Sequence, residues 1–176
     1  FVRGMSGGCA VCKSAEWCRR LTKAGATVQV GMTEAATQFM TPGTMQALSN
    51  RPVYVSQWDA REHNNMPHIN LSREADAIVV APCSADFMAR LVQGRADELL
   101  SLLCLARPID TVPLILAPAM NREMWAHPAT QRNLRQVALD GAGGLGVGTG
   151  DHACGETGDV RLHRPDSRGA GVVGVF

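Results

Sequence analysis

Aromatic residues are scarce in this chain, at 5% of the sequence with a single tyrosine. That scarcity argues against a binding surface for single-stranded nucleic acid, which stacks bases on aromatic faces along a basic groove. A surplus of charge is missing too. With a formal net charge of +1, neither a nucleic acid nor an anionic membrane surface is an expected partner. No apolar run approaches the ~20 residues that a membrane-spanning helix needs. No secretory leader opens the sequence, so the cytoplasm is the expected compartment. What is present suits a globular core: 45% of the 176 residues are hydrophobic. A chain of this length fits one domain and buries roughly 70% of its unfolded surface.

The six cysteines stand at positions 9, 12, 18, 83, 104 and 154. Without a secretory context they read as reduced thiols rather than a disulfide framework. Cys9 and Cys12 have the spacing of a redox pair or of half a zinc site. No second Cys or His pair follows at metal-site spacing, so the expectation is that both are small core residues and that no metal is bound.

Short apolar runs alternate with amphipathic stretches. Val28 to Met32, Ala77 to Ala81 and Leu114 to Ala117 are rich in β-branched residues and bounded by turns, as buried parallel strands are. Helices are expected over Val11 to Ala24, ending at Gly25, then over Ala85 to Val92, Leu99 to Ala106 and Pro128 to Leu139. This rhythm specifies an α/β fold: a doubly wound, Rossmann-like three-layer sandwich with a parallel sheet and right-handed crossovers. Such sheets bind ligands beyond the carboxyl ends of their strands. The opening strand is expected to be short. The Gly-rich stretch over 143–165 reads as a loop or flap with a tail.

The loops that follow the strands hold the candidate chemistry. Gly4-Met5-Ser6-Gly7-Gly8 lies between the first strand and first helix. Glycines there admit an anion to backbone N–H groups, and Ser6 adds a hydroxyl, although a plain tight turn has the same look. The pattern is not GxGxxG and has no acidic partner for a ribose, so a mononucleotide is favoured over a dinucleotide. Thr33 and Ser84 each follow a strand and open a helix. Each can cap the helix, donate to a phosphate, or do both. In Pro118-Ala119-Met120-Asn121-Arg122-Glu123-Met124-Trp125, Asn121 lies just past a strand end, where a neutral amide can bind a carboxylate. The bland reading of that segment is a turn with an apolar lid. His68 follows Pro67 and taken alone is an ordinary surface or capping residue, whereas Cys154 in its Gly-rich loop has no simple place in a core.

Pro118 to Trp125 resembles the PxMNxxMW signature of the phosphopantothenoylcysteine decarboxylases, a subgroup of the homo-oligomeric flavin-containing cysteine decarboxylases. The resemblance runs from Gly4 to Pro165. It takes in the Gly turn, Met32 to Ala36, Pro67 to Leu71, Pro82 to Ala85 and Ala153-Cys154-Gly155-Glu156-Thr157-Gly158. It implies a flavoprotein fold, a single flavin-binding domain over 1–176, and FMN held by Ser6, Gly7, Gly8, Thr33, Ser84 and Ala85. It further implies His68 as a base, Asn121 on the substrate carboxylate, Met124 and Arg73 in the substrate pocket, and Cys154 as a proton donor on a covering loop. Homotrimers or homododecamers are implied as well. Asn70, Glu74 and Asp159-Val160 depart from the family pattern and bear on the substrate. The implied activity is oxidative decarboxylation of a terminal cysteine group, with 4′-phosphopantothenoylcysteine as first substrate. A precursor peptide ending in cysteine, released as an aminoenethiol, is the alternative. A flavin-binding phosphatase regulator is disfavoured, because the long acidic tail of such proteins is missing.

Overall fold

The computed structural model describes residues 1–59, 61, 66–144, 148–151 and 157–161. The chain begins with β1 (Val2–Met5), α1 (Val11–Lys23), β2 (Gln29–Met32), α2 (Glu34–Thr37), α3 (Pro42–Ser49) and α4 (Pro67–Arg73). It continues through β3 (Ile78–Cys83), α5 (Ala85–Val92), α6 (Leu99–Ala106), β4 (Leu114–Pro118), α7 (Arg122–Ala126) and α8 (Pro128–Leu139). Three short strands follow: β5 (Ala142–Gly144), β6 (Gly148–Asp151) and β7 (Thr157–Arg161). The main sheet has the order β2-β1-β3-β4-β5 and every pairing in it is parallel. The expected doubly wound α/β fold is what forms.

Alternation along the strands sends residues to two helical layers. Val2, Ile78, Val80, Leu114 and Leu116 pack with Phe87, Leu100, Leu103 and Val137, which belong to α5, α6 and α8. On the β1–β2 side, Val30 and Met32 pack with Val11, Cys18 and Met45 from α1 and α3. Gly4 allows the closest approach, since a Cβ there would lie 2.6 Å from Leu100 Cδ1. α1 stops where Gly25 turns to φ +87, a conformation only glycine adopts freely. Among the described residues no helix is long and apolar enough to cross a membrane.

Two expectations change. The Gly-rich segment read as loop from residue 143 contributes β5 through Gly144, hydrogen-bonded to β4 in the register Leu114↔Ala142. Strands β6 and β7 form a separate antiparallel ribbon. Backbone pairing makes these strands, with no apolar alternation to announce them. The second change concerns cysteine: Cys9 and Cys12 are both exposed, not core residues. They lie in the first turn leading into α1, whose buried face carries Val11, Ser14 and Cys18 instead.

Candidate active site

The carboxyl ends of β1, β2 and β3 open into one cavity of about 1000 Å³, lined by Ser6, Gly7, Thr33, Ser84, Ala85 and Met124 together with residues of the β2–α4 and α5–α6 connections. Its walls are tied to each other by Ser6, which is 1% exposed. The Ser6 hydroxyl donates to the Pro82 carbonyl at 2.8 Å and accepts from the Ser84 N–H at 2.8 Å. Its one proton is therefore spent between the two loops. In this arrangement Ser6 ties the loop after β1 to the loop after β3.

Thr33 and Ser84 behave differently. Thr33 Oγ1 accepts from the Ala36 N–H at 3.1 Å, and Ser84 Oγ from the Phe87 N–H at 3.1 Å, so both cap their helices. Capping uses an oxygen lone pair and leaves each hydroxyl proton available to a ligand. Gly7 completes the cradle: a Cβ added there would sit 2.8 Å from the Ala35 Cβ. The Gly turn and the start of α2 can approach this closely only without a side chain. Gly8, at φ +154, has open space around it.

Asn121 caps α7, with Oδ1 accepting from the Met124 N–H at 2.9 Å. Pinning that oxygen turns the Nδ2 group, two donors without a partner among the described residues, away from the helix. Met124 is on the cavity wall, whereas Asn121, three residues before it, and Gly8 are not among the lining residues. His68 occupies the first turn of α4, its Nδ1 buried without a hydrogen-bond partner. Neither His68 nor Arg73, exposed at the end of the same helix, lines the cavity. Cys154 lies outside the described residues.

The cavity also holds two aromatic side chains that no motif in the sequence announces. Phe39 and Trp58 line it while 52% and 72% exposed, in a chain with few aromatics. On the opposite wall Arg90 pairs with Asp86 at 2.9 Å and Asp97 at 3.2 Å, and Arg95 also pairs with Asp97. Glu98 stands beside them with a buried, unpartnered Oε1. Burial raises its carboxyl above the usual range, against the pull of Arg90. A smaller cavity of about 330 Å³ lies at the other end of the sheet, by Leu114 and Ala142, lined mostly by apolar residues such as Leu91, Leu105, Ile109 and Val137. Among the described residues no cluster of three or more His, Cys, Asp or Glu could hold a metal ion.

A hydroxyl-tipped cradle across three adjacent parallel strands is an arrangement for a mononucleotide at the carboxyl edge of a doubly wound sheet. Comparison with known proteins agrees: the model of the Flavoprotein family matches residues 1–164. The chain belongs to the Flavoprotein family. The Coenzyme A biosynthesis bifunctional protein CoaBC of Vibrio cholerae is 45% identical over 165 residues, which is 94% of this chain and 41% of that protein. Its namesake in Escherichia coli is 43% identical over 165 residues, again 94% of this chain and 40% of the relative. The chain thus spans about two fifths of the length of these relatives. Among solved structures, a cysteine-to-serine variant of PPC decarboxylase complexed with pantothenoylaminoethenethiol has a TM-score of 0.81 at 28% identity, covering 93% of this chain and 90% of that one. The FMN-dependent cysteine decarboxylase SpaF has a TM-score of 0.78 at 28% identity, covering 90% and 88%.

Proposed function

We propose that this flavoprotein binds FMN in the large cavity and decarboxylates a terminal cysteine group, with 4′-phosphopantothenoylcysteine as its substrate. The observation that carries the reading is Asn121: a neutral amide beyond a strand end, its oxygen held by the Met124 N–H and its two donors unspent. The 45% identity to a coenzyme A biosynthesis protein supports this substrate. The residues present fit FMN. A cavity of about 1000 Å³ matches the upper range of cofactor sites. The spare hydroxyl protons of Thr33 and Ser84 suit a phosphate, and Phe39 and Trp58 offer apolar area to a ring system.

Removing CO2 directly from cysteine would leave a carbanion with no electron sink. Bound FMN supplies the two-electron oxidation that places a C=S group β to the carboxylate, and loss of CO2 then gives a stabilised ene-thiolate. The protein binds, orients and moves protons. Thr33, Ser84 and the Gly7–Gly8 backbone hold the phosphate, with Ser6 keeping their loops in register and Ala85 at the start of α5. Asn121 Nδ2 donates to the substrate carboxylate, Met124 shapes the pocket, and Arg73 engages the substrate. His68 takes up a proton on its imidazole. Cys154 would donate the Sγ proton that accompanies return of the two electrons, as hydride, from reduced FMN to the ene-thiol, and the saturated thiol results. Because His68 and Arg73 stand away from the cavity of their own chain, we propose a homotrimer or homododecamer in which flavin lies near subunit contacts. The same reading places the protein in the cytoplasm as one flavin-binding domain.

A cysteine-terminated peptide is the second reading, favoured by the likeness to SpaF and by Asn70 and Glu74, which depart from the family pattern at α4. Incubation of the purified protein with each substrate, followed by mass spectrometry, tests both. Loss of CO2 alone from phosphopantothenoylcysteine is the expected result. Loss of CO2 plus two hydrogens, from the peptide only, would replace the first reading by the second.

A further inference from the structure

Cys9 and Cys12 have no part in the proposed chemistry, yet they are the exposed thiols among the described cysteines. Cys18, Cys83 and Cys104 are buried, and burial pushes the Cys104 thiol up to about 12 and the Cys83 thiol higher still. Those three are inert packing groups. The exposed pair is held differently. The Cys12 N–H donates to the Cys9 carbonyl at 3.4 Å, and the Val11 N–H to the Gly8 carbonyl at 3.0 Å. Residues 9–12 therefore form a closed turn. The Cα atoms across such a turn are less than ~7 Å apart, and a disulfide spans roughly 4.4–6.8 Å between Cα atoms. Both thiols are open to solvent at the mouth of α1, directly after the Gly7–Gly8 cradle. A metal role lacks ligands, since no third Cys, His, Asp or Glu joins the pair among the described residues.

We propose that Cys9 and Cys12 form a reversible dithiol–disulfide couple at the entrance to the flavin loop, exchanging with a low-molecular-weight disulfide such as oxidised glutathione. One cysteine thiolate attacks a sulfur of the small disulfide, which breaks its S–S bond, forms a mixed disulfide and releases one small thiol. The second cysteine thiolate attacks the protein sulfur of that mixed disulfide, closes the Cys9–Cys12 bond and releases the second small thiol. The pair loses two protons and two electrons, and the small disulfide gains them. The reaction needs only solvent access and the turn already present, and it does not depend on the decarboxylase reading.

The test uses the folded, flavin-loaded protein. It is equilibrated with oxidised glutathione, quenched, unfolded, alkylated and digested with trypsin, which leaves both cysteines on the single peptide Gly4–Lys13. The expected peptide escapes alkylation, is lighter by two hydrogens, and becomes doubly alkylated after dithiothreitol. Cys9→Ser and Cys12→Ser should each carry one glutathione on the remaining thiol instead. A native-sequence peptide that keeps two free thiols, or carries two glutathiones, overturns the proposal.

Discussion

The carboxyl end of the sheet and its interior treat unsatisfied polar groups in opposite ways. Around the large cavity, Thr33 and Ser84 keep spare hydroxyl protons, Asn121 keeps its amide donors, and Glu98 keeps a bare Oε1. Thr33, Ser84 and Glu98 line a space large enough for a ligand, and Asn121 precedes the lining residue Met124 by three positions. In the middle of β1, Arg3 is 2% exposed, and its Nε and Nη1 have no partner. Among the described residues its guanidinium reaches the Ala81 carbonyl, at 3.4 Å, and the face of Trp17, at 5.9 Å. Neither the large cavity nor the smaller apolar one is lined by it. The same deficit is binding capacity at the strand ends and a plain cost in the sheet.

Replacing Arg3 sharpens that contrast most. A buried charge so poorly compensated destabilises the fold, and exchange for an apolar residue of similar reach should remove the penalty. Arg3→Leu should stabilise the protein by about 1–3 kcal/mol in urea unfolding while flavin binding stays unchanged. Burial lowers the Arg3 pKa to about 10. Between that value and the ordinary one the unfolded chain holds more protons, so stability should rise as pH climbs through 10, and the Leu variant should lose that slope. A loss of stability in Arg3→Leu would show that the guanidinium is an asset.

Glu98 provides the smaller effect. Its folded pKa is raised, so from the ordinary carboxylate range up through that raised value the folded state holds more protons. Its contribution to stability is present at low pH and lost as pH rises. Glu98→Gln should flatten this part of the profile, by less than about 1 kcal/mol because the side chain is only partly shielded from solvent. A variant whose stability profile overlays the parent's would remove Glu98 from the list of strained groups.

Much of this architecture is legible in the sequence. The β-branched runs give β2, β3 and β4 within a residue or two, and the helices α5, α6 and α8 start and stop where Ser84, Gly94, Pro128 and Gly141 punctuate the chain. The Thr33 and Ser84 caps are legible for the same local reason. What depends on distant partners is not. β5 is a strand because β4 lies beside it, and Ser6 spends its proton on Pro82, 76 residues away. Cys9 and Cys12 look like core residues in a string of small apolar neighbours, and only the pitch of α1 turns Val11 inward and leaves them outside. Phe39 and Trp58 reach the cavity by way of a long connection that carries no motif.

Flavin should occupy the carboxyl-end cavity and not the apolar one at the other end. Fluorescence titration of flavin-stripped protein with FMN decides it, with Gly7→Val compared against Leu105→Ala. The valine side chain would enter the cradle where even a Cβ meets Ala35 at 2.8 Å, whereas Leu105 lines the smaller cavity and is 58% exposed. Saturation at one FMN per chain is expected in the parent and in Leu105→Ala, with at least a roughly hundredfold weaker affinity in a folded Gly7→Val, about 2.7 kcal/mol. Parent-like binding by Gly7→Val, or loss of binding in Leu105→Ala, would contradict it.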